Sequence, residues 1–252
     1  MYKIPAKTLF MGQKLIYVPE CHSTNSSLSD LINHADLPEG LVLITDNQTK
    51  GRGQRGNNWD SLPGENLTFS ILLKPKFLAT RDQFQLNMAI AIGIADGLRQ
   101  LMSQQVSLKW PNDIMIDGKK VGGILIENQS QGPALFQSIV GIGLNVNQKE
   151  FAHPLAASLL NVAGKVFPLE DVFEGLMSSL EGKYLLLRSG NLTSIRSQYI
   201  ESLFRFNLTQ TFEADGDQFE GVISDVDEFG RLCVNVAGTI KKFSLKEIRM
   251  IL

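Results

Sequence analysis

Asp117-Gly118 stands between two short apolar runs, Ile114 to Ile116 and Val121 to Ile126, and commits the middle of the chain to a β-hairpin. The tight turns that suit hairpins need φ > 0 at their central residues, and Asp-Gly supplies it at little cost. Pro111 sets the upstream limit. It stops the strand-like run Val106 to Trp110, removes a ladder donor and holds Trp110 extended, so Asn112 and Asp113 emerge at a strand end. The returning strand carries Gly122-Gly123, and the next run, Leu135 to Val146, carries Gly141 and Gly143. Glycine inside a strand marks a place where another group approaches the backbone. A sheet with something lying close upon it is expected.

The flanking sequence adds both strands and helices. Lys14 to Val18, Leu41 to Thr45 and Asn66 to Leu73 read as strands, and Leu28, Leu31, Ile32 and Ala35 recur at helical spacing behind Ser23 or Thr24 as N-cap. Thr80 and Gln83 sit at capping-box spacing ahead of a helix over Phe84 to Met102, whose Ala/Ile/Gly content predicts tight packing on the sheet. Ser158 to Val162, Leu169 to Leu187 and Thr193 to Phe204 read as helices, with Gly190 stopping the second. After Arg205, short alternating runs at Leu208 to Glu213, Gln218 to Ile223, Arg231 to Val236 and Ile240 to Phe243 predict a small antiparallel barrel. The expectation is an α+β chain with a mixed sheet packed with helices over residues 1–206 and a small β unit over 207–252.

Composition narrows the function classes. A net charge of −2 gives no global basic footprint, and no basic run exceeds Lys241-Lys242, which weighs against nucleic acid as a partner. Cys21 and Cys233 are too few and too far apart for a disulfide framework or a Cys-x-x-Cys metal site, and His22, His34 and His153 lack ligand spacing. No stretch of eighteen apolar residues and no signal-peptide core occurs, so a cytoplasmic protein with no membrane association is expected. The 22 residues before Ser23 read as a tail and a strand rather than as two linked helices, which predicts no DNA binding.

Gly51-Arg52-Gly53-Gln54-Arg55-Gly56 then gives the chain a chemistry. Three glycines let several N–H groups turn toward one point, and two guanidiniums add fixed forks of donors that match carboxylate or phosphate. A plain flexible loop is the alternative. Likewise Ser23-Thr24-Asn25 can be only a helix cap, Gln48 only a surface amide, and Asn112-Asp113 only an Asx turn.

Taken with Lys109-Trp110-Pro111-Asn112-Asp113, Lys120-Val121-Gly122-Gly123-Ile124-Leu125 and Gly141-Ile142-Gly143-Leu144-Asn145, this loop makes the chain resemble the biotin–protein ligases from about Ser23 to the C-terminus. The resemblance implies a class II aminoacyl-tRNA-synthetase-like catalytic domain followed by a Src-homology-3-like barrel. It also implies a reaction: biotin is activated by ATP as biotinyl-5′-AMP and passed to a lysine of a biotin carboxyl carrier protein, by a monomer or homodimer. Ser23, Thr24, Asn25, Gln48, Arg52, Gly53, Gln54, Lys120, Gly123, Gly141 and Gly143 would then contact biotin. Arg55, Asn57, Trp59, Asn66, Lys109, Asn112, Asp113 and Asn145 would contact ATP, with Asp113 also facing Mg²⁺. Lys120, Arg52, Arg55, Asp113 and Lys109 would carry the chemistry. Gln54 departs from the family pattern, which often has a third arginine there, so the loop's charge rests on Arg52 and Arg55.

That chemistry suits the residues. A carboxylate must approach an α-phosphate while pyrophosphate leaves, which calls for cations and N–H dipoles where the charges meet. In the second step a lysine amine must lose a proton; Asp113 is the expected acceptor, with solvent or the substrate's own phosphate as rivals. A lipoate or octanoate ligase is the nearest rival, and an RNA-binding module the more distant one. The loop from Gln48 to Trp59 lacks a large apolar anchor before Trp59, so it is expected to order on its ligand.

Overall fold

The computed structural model describes residues 2–252, apart from the side chain of Arg55. Strand β1 (Leu15–Cys21) runs parallel to β2 (Val42–Gln48), with α1 (Thr24–His34) as the crossover between them. Next to β2 lie β3 (Leu67–Leu73), β7 (Ala134–Leu144), β6 (Lys119–Gln131), β5 (Asp113–Ile116) and β4 (Val106–Lys109), each antiparallel to its neighbour. The mixed seven-stranded sheet is the expected one. Its Asp117-Gly118 turn has φ of 46° and 78°, as a hairpin turn of that kind requires.

Strand periodicity decides what each face meets. Val42 and Ile44 of β2, with Leu67, Phe69, Ile71 and Leu73 of β3, enter the main core, which they share with α2 (Gln83–Leu101) and α4 (Leu169–Arg188). Leu43 and Leu72 point the other way, into a smaller cluster with Leu28 of α1. On that second face β3 also carries Thr68 and Ser70, both buried and both polar. Polar groups there need partners, and they mark where the site begins.

Two local expectations change. The helix α2 begins at Gln83 without a side-chain cap, behind a 3-10 turn over Thr80–Asp82. Thr80 donates instead to Ser130 Oγ, and Gln83 accepts from Asn128, so the expected capping box is absent. A capping box forms instead at Ser158 and Asn161, opening α3 (Leu159–Ala163). The glycines of α2 also serve a helix rather than the sheet: a Cβ at Gly93 or Gly97 would lie 3.0 Å from Leu180 or Leu176 of α4. Helix α5 (Leu192–Glu201) follows Gly190, whose φ of 82° ends α4.

The C-terminal unit consists of β8 (Thr209–Ala214), β9 (Asp217–Val226), β10 (Leu232–Val236), β11 (Thr239–Phe243) and β12 (Arg249–Met250) in the order β11-β10-β9-β8-β12. The four expected strands are present, but the sheet is open, because two-residue β12 pairs only with β8. Phe212, Ile223, Val226, Leu232 and Val234 on its inner side join the main core, so no solvent layer separates the two sheets. Among the described residues no helix is long and apolar enough to cross a membrane.

Candidate active site

The glycines of the central strands explain the cavity. In register, Gly141 of β7 sits between Ser70 of β3 and Leu125 of β6, while Gly143 sits between Thr68 and Gly123. Three missing side chains on adjacent strands leave a hollow on the face that α1 covers. Side chains of this chain enter it first. A Cβ on Gly141 would stand 2.3 Å from Asn25 Oδ1, and one on Gly143 2.3 Å from the Trp59 indole. The close approach read from the strand glycines is therefore made here by Asn25 and Trp59.

A cavity of about 300 Å³ opens from this hollow, lined by Ser23, Thr24, Asn25, Gln48, Arg52 and Trp59 on one side and by Lys109, Asn112, Asp113 and Lys120 on the other. Gly53, Gln54, Asn57, Gly123, Gly141 and Gly143 complete the expected set within it. Its volume lies at the lower end of the range for small-molecule sites.

The floor is a continuous chain of hydrogen bonds. Gln48 Oε1 accepts from the Thr24 amide at 2.8 Å and from Thr24 Oγ1 at 3.2 Å. Ser70 Oγ lies 2.7 Å from Thr24 Oγ1 and 2.6 Å from Asn25 Oδ1. Asn25 Nδ2 donates to Glu127 Oε2 at 2.8 Å, and Glu127 Oε1 accepts from Arg52 at 2.5 Å. Ser23 is the N-cap of α1 by backbone conformation but makes no side-chain cap bond. Thr24, Asn25 and Ser70 are buried, Gln48 and Glu127 are half-buried, and the chain ends in a charge-assisted bond to the exposed Arg52.

At the rim, Lys120 Nζ pairs with Asp113 Oδ1 at 2.6 Å and stands 5.9 Å from the centre of the Trp59 ring. Lys109 is the cross-strand partner of Asp113. Burial pushes the Lys109 ammonium below its ordinary range. Asp113 opposes that shift, and the nearby charges of Lys120 and Arg205 reinforce it. Asn112 spends its side-chain amide on Ile124 O at 2.7 Å and holds the rim rather than facing open space. The loop is folded on itself, with Gly53 N donating to Asn57 O and Trp59 N to Gly51 O, and Arg52 reaching Ser26 as well as Glu127. The expectation for the Arg55 side chain lies outside the described residues.

Two expected ATP contacts stand apart from the cavity. Asn66 is buried behind it, donating to Ser61 and Gln148 and accepting from Val146 N. Asn145 is buried too, donating to Ala157 O, with its Oδ1 unpaired. Sequence reasoning missed Ser70 and Glu127 as site residues. Ser70 had a signal, a hydroxyl in the middle of an apolar strand; Glu127 had none beyond following the apolar run Val121 to Ile126, and it lies inside β6. It also missed the C-terminal contribution of Phe204, Phe212, Lys246 and Arg249 to the cavity wall. For metal, the described residues hold no group of three or more His, Cys, Asp or Glu side chains suited to an ion, and the one rim carboxylate, Asp113, is already paired with Lys120.

Comparison with known proteins gives the family and the fold. Residues 17–145 match the model of the biotin/lipoate A/B protein ligase family. The bifunctional ligase/repressor BirA of Bacillus subtilis is 30% identical over 249 residues, covering 97% of this chain and 76% of that protein. The biotin–[acetyl-CoA-carboxylase] ligase of Mycobacterium tuberculosis is 29% identical over 231 residues, covering 90% of this chain and 85% of its own length. A biotin protein ligase from Aquifex aeolicus, solved with biotin and ATP, superposes with a TM-score of 0.80 at 26% identity, over 95% of this chain and 99% of that one. The chain belongs to the biotin/lipoate A/B protein ligase family, among its biotin–protein ligases.

Proposed function

We infer that this protein is an ATP-dependent ligase that activates biotin as biotinyl-5′-AMP and transfers it to a lysine of a biotin carboxyl carrier protein. The observation that supports it most is the meeting, in one cavity, of a polar floor with a cationic rim. The floor offers Gln48, Thr24 and Ser23 as short donors and acceptors for a cyclic urea, and the glycine hollow with Trp59 offers an apolar slot for the ring and chain. On this reading Lys120 and Lys109 at the rim, with Arg52 across the cavity, supply the cations for the meeting of a carboxylate with an α-phosphate.

In the first step a carboxylate oxygen of biotin bonds to the α-phosphorus and pyrophosphate departs. Lys120 stabilises the charge gathering between the two anions once it leaves Asp113, and Lys109 and the loop N–H groups receive the leaving phosphates. Arg52 exchanges Glu127 for the incoming anion. In the second step the uncharged amine of the carrier lysine bonds to the anhydride carbonyl, AMP departs, and Asp113 takes the amine's proton. The described residues alone do not make a resident metal site; Mg²⁺ would enter as the counter-ion of ATP. The same reading treats residues 1–206 as a catalytic unit of class II synthetase type and 207–252 as a small Src-homology-3-like unit closing one wall.

The test is incubation with biotin, ATP, magnesium and an isolated biotin carboxyl carrier domain, followed by intact-mass analysis. The reading expects one added biotinyl group, lost when the acceptor lysine is changed to Arg. No added mass on a carrier that a known ligase modifies contradicts it.

A further inference from the structure

The segment Trp110–Asn112 joins two strands at the rim and carries Asp113 into the cavity, and it is tied down at three points. Asn112 Nδ2 donates to Ile124 O, and Ile124 N donates back to Asn112 O. Asn87 of α2 donates to Pro111 O at 3.1 Å. The third tie comes from the other sheet: Trp110 Nε1 donates to Gly230 O at 2.9 Å.

Gly230 belongs to a turn that is itself heavily fixed. Asp227 Oδ1 accepts from the amides of Phe229 at 3.1 Å and Arg231 at 3.0 Å, and its Oδ2 accepts from Arg231 Nε at 2.8 Å. Two backbone bonds, Asp227 N to Arg231 O and Gly230 N to Asp227 O, close the turn. Gly230 has a φ of +81°, and a Cβ there would lie 2.4 Å from the Phe84 ring of α2, so only glycine fits where the turn docks. A turn built so rigidly presents its carbonyl at one place.

We propose that the Asp227–Arg231 turn of the C-terminal sheet, acting through the Trp110 indole, positions the Lys109–Asp113 segment for the nucleotide. Trp110 and Asp227 are positioning residues, not catalytic ones; Lys109 and Asp113 do the touching. The floor that would hold biotin receives no tie from this turn, so the effect should fall on one substrate. This inference rests on the ligase reading above.

The test is biotin-dependent ATP–pyrophosphate exchange by the full chain, comparing the unaltered protein with Trp110→Phe, which keeps the ring and removes the donor. Asp227→Asn, which loosens the turn from outside the cavity, is the second variant, for use should the first not fold. Either variant should raise KM for ATP by about tenfold while KM for biotin stays within about twofold. A merely structural role would lower the active fraction and leave both constants unchanged. Unchanged KM for ATP, or both KM values rising together, overturns the proposal. Absence of exchange in the unaltered protein would instead overturn the ligase reading, and this inference with it.

Discussion

Gln48, Thr24, Ser70, Asn25 and Glu127 on the floor of the cavity form one unbroken hydrogen-bond chain, whereas Lys120, Asp113 and Lys109 at its rim share few fixed partners. The middle of the floor, Thr24, Asn25 and Ser70, is buried between α1 and the sheet, where unpaired polar groups are costly, so its geometry is fixed before any ligand arrives, while the Glu127 end is as exposed as Lys120. The rim sits at strand ends and on a loop, where the side chains of Lys120 and Asp113 are 38% and 20% exposed. An ion pair so placed contributes little to stability and exchanges partners readily. On the proposed reading, the first region recognises a rigid neutral ring and the second changes its charge partners during the reaction.

The largest effect expected from breaking this contrast is at Lys120. Replacing it with Ala should slow adenylation by about 10²- to 10³-fold while transfer from preformed biotinyl-AMP falls much less. Single-turnover assays of the two half reactions measure both; equal losses would make Lys120 a structural residue. Next is Gly141→Val, which pushes a side chain into Asn25 Oδ1, 2.3 Å from the Cβ position. The floor chain must break, and KM for biotin should rise by tens of fold, roughly, with KM for ATP little changed. A matched rise in both would mean that floor and rim are not independent.

The loop gives a smaller effect. Trypsin can cut after Lys50, Arg52 and Arg55, and Arg52 is held to Glu127 by a half-exposed pair. Cleavage should be fastest in the free protein, slower with biotin, and slowest with biotin, ATP and magnesium, with about a tenfold span. Equal rates in all three conditions would show the loop to be preformed, like the floor. The smallest expected change is in Lys109→Met. Burial holds the Lys109 pKa below 10.5, so between its folded value and 10.5 the unfolded chain binds more protons and stability rises with pH; below that window the full penalty for the buried charge persists. Removing the charge should therefore raise Tm by roughly 1–2 °C near neutral pH, a gain that shrinks as pH nears 10.5, while adenylation falls. Melting curves across that pH range decide it.

Much of this was legible in the chain. The Asp117-Gly118 hairpin, the strand that Pro111 stops, and the glycine-bearing strands follow from local backbone rules; all form, the first strand ending at Lys109 rather than Trp110 and β6 running on to Gln131 instead of ending at Ile126. The site motifs Ser23-Thr24-Asn25, Gln48, the glycine loop, Lys109 to Asp113 and Lys120 do converge, as the resemblance implied. What local rules could not give is pairing across long sequence separations. Ser70 meets α1 only because β3 lies next to β7 with Gly141 at its side, and Trp110 meets Gly230 across the two sheets. The resemblance implied ATP contacts at Asn66 and Asn145, whereas in the fold both are buried and spend their amides on Gln148 and Ala157 O behind the cavity. The C-terminal sheet is open where a small barrel was expected: its edge strand, Arg249–Met250, pairs with β8 alone.

The central claim is that a cyclic-urea floor and a phosphate rim together adenylate biotin, and ATP–pyrophosphate exchange with biotin, lipoate and octanoate in parallel tests it most directly. Exchange above background with biotin alone is the predicted result. Exchange driven equally by lipoate or octanoate, or none with biotin, would contradict it.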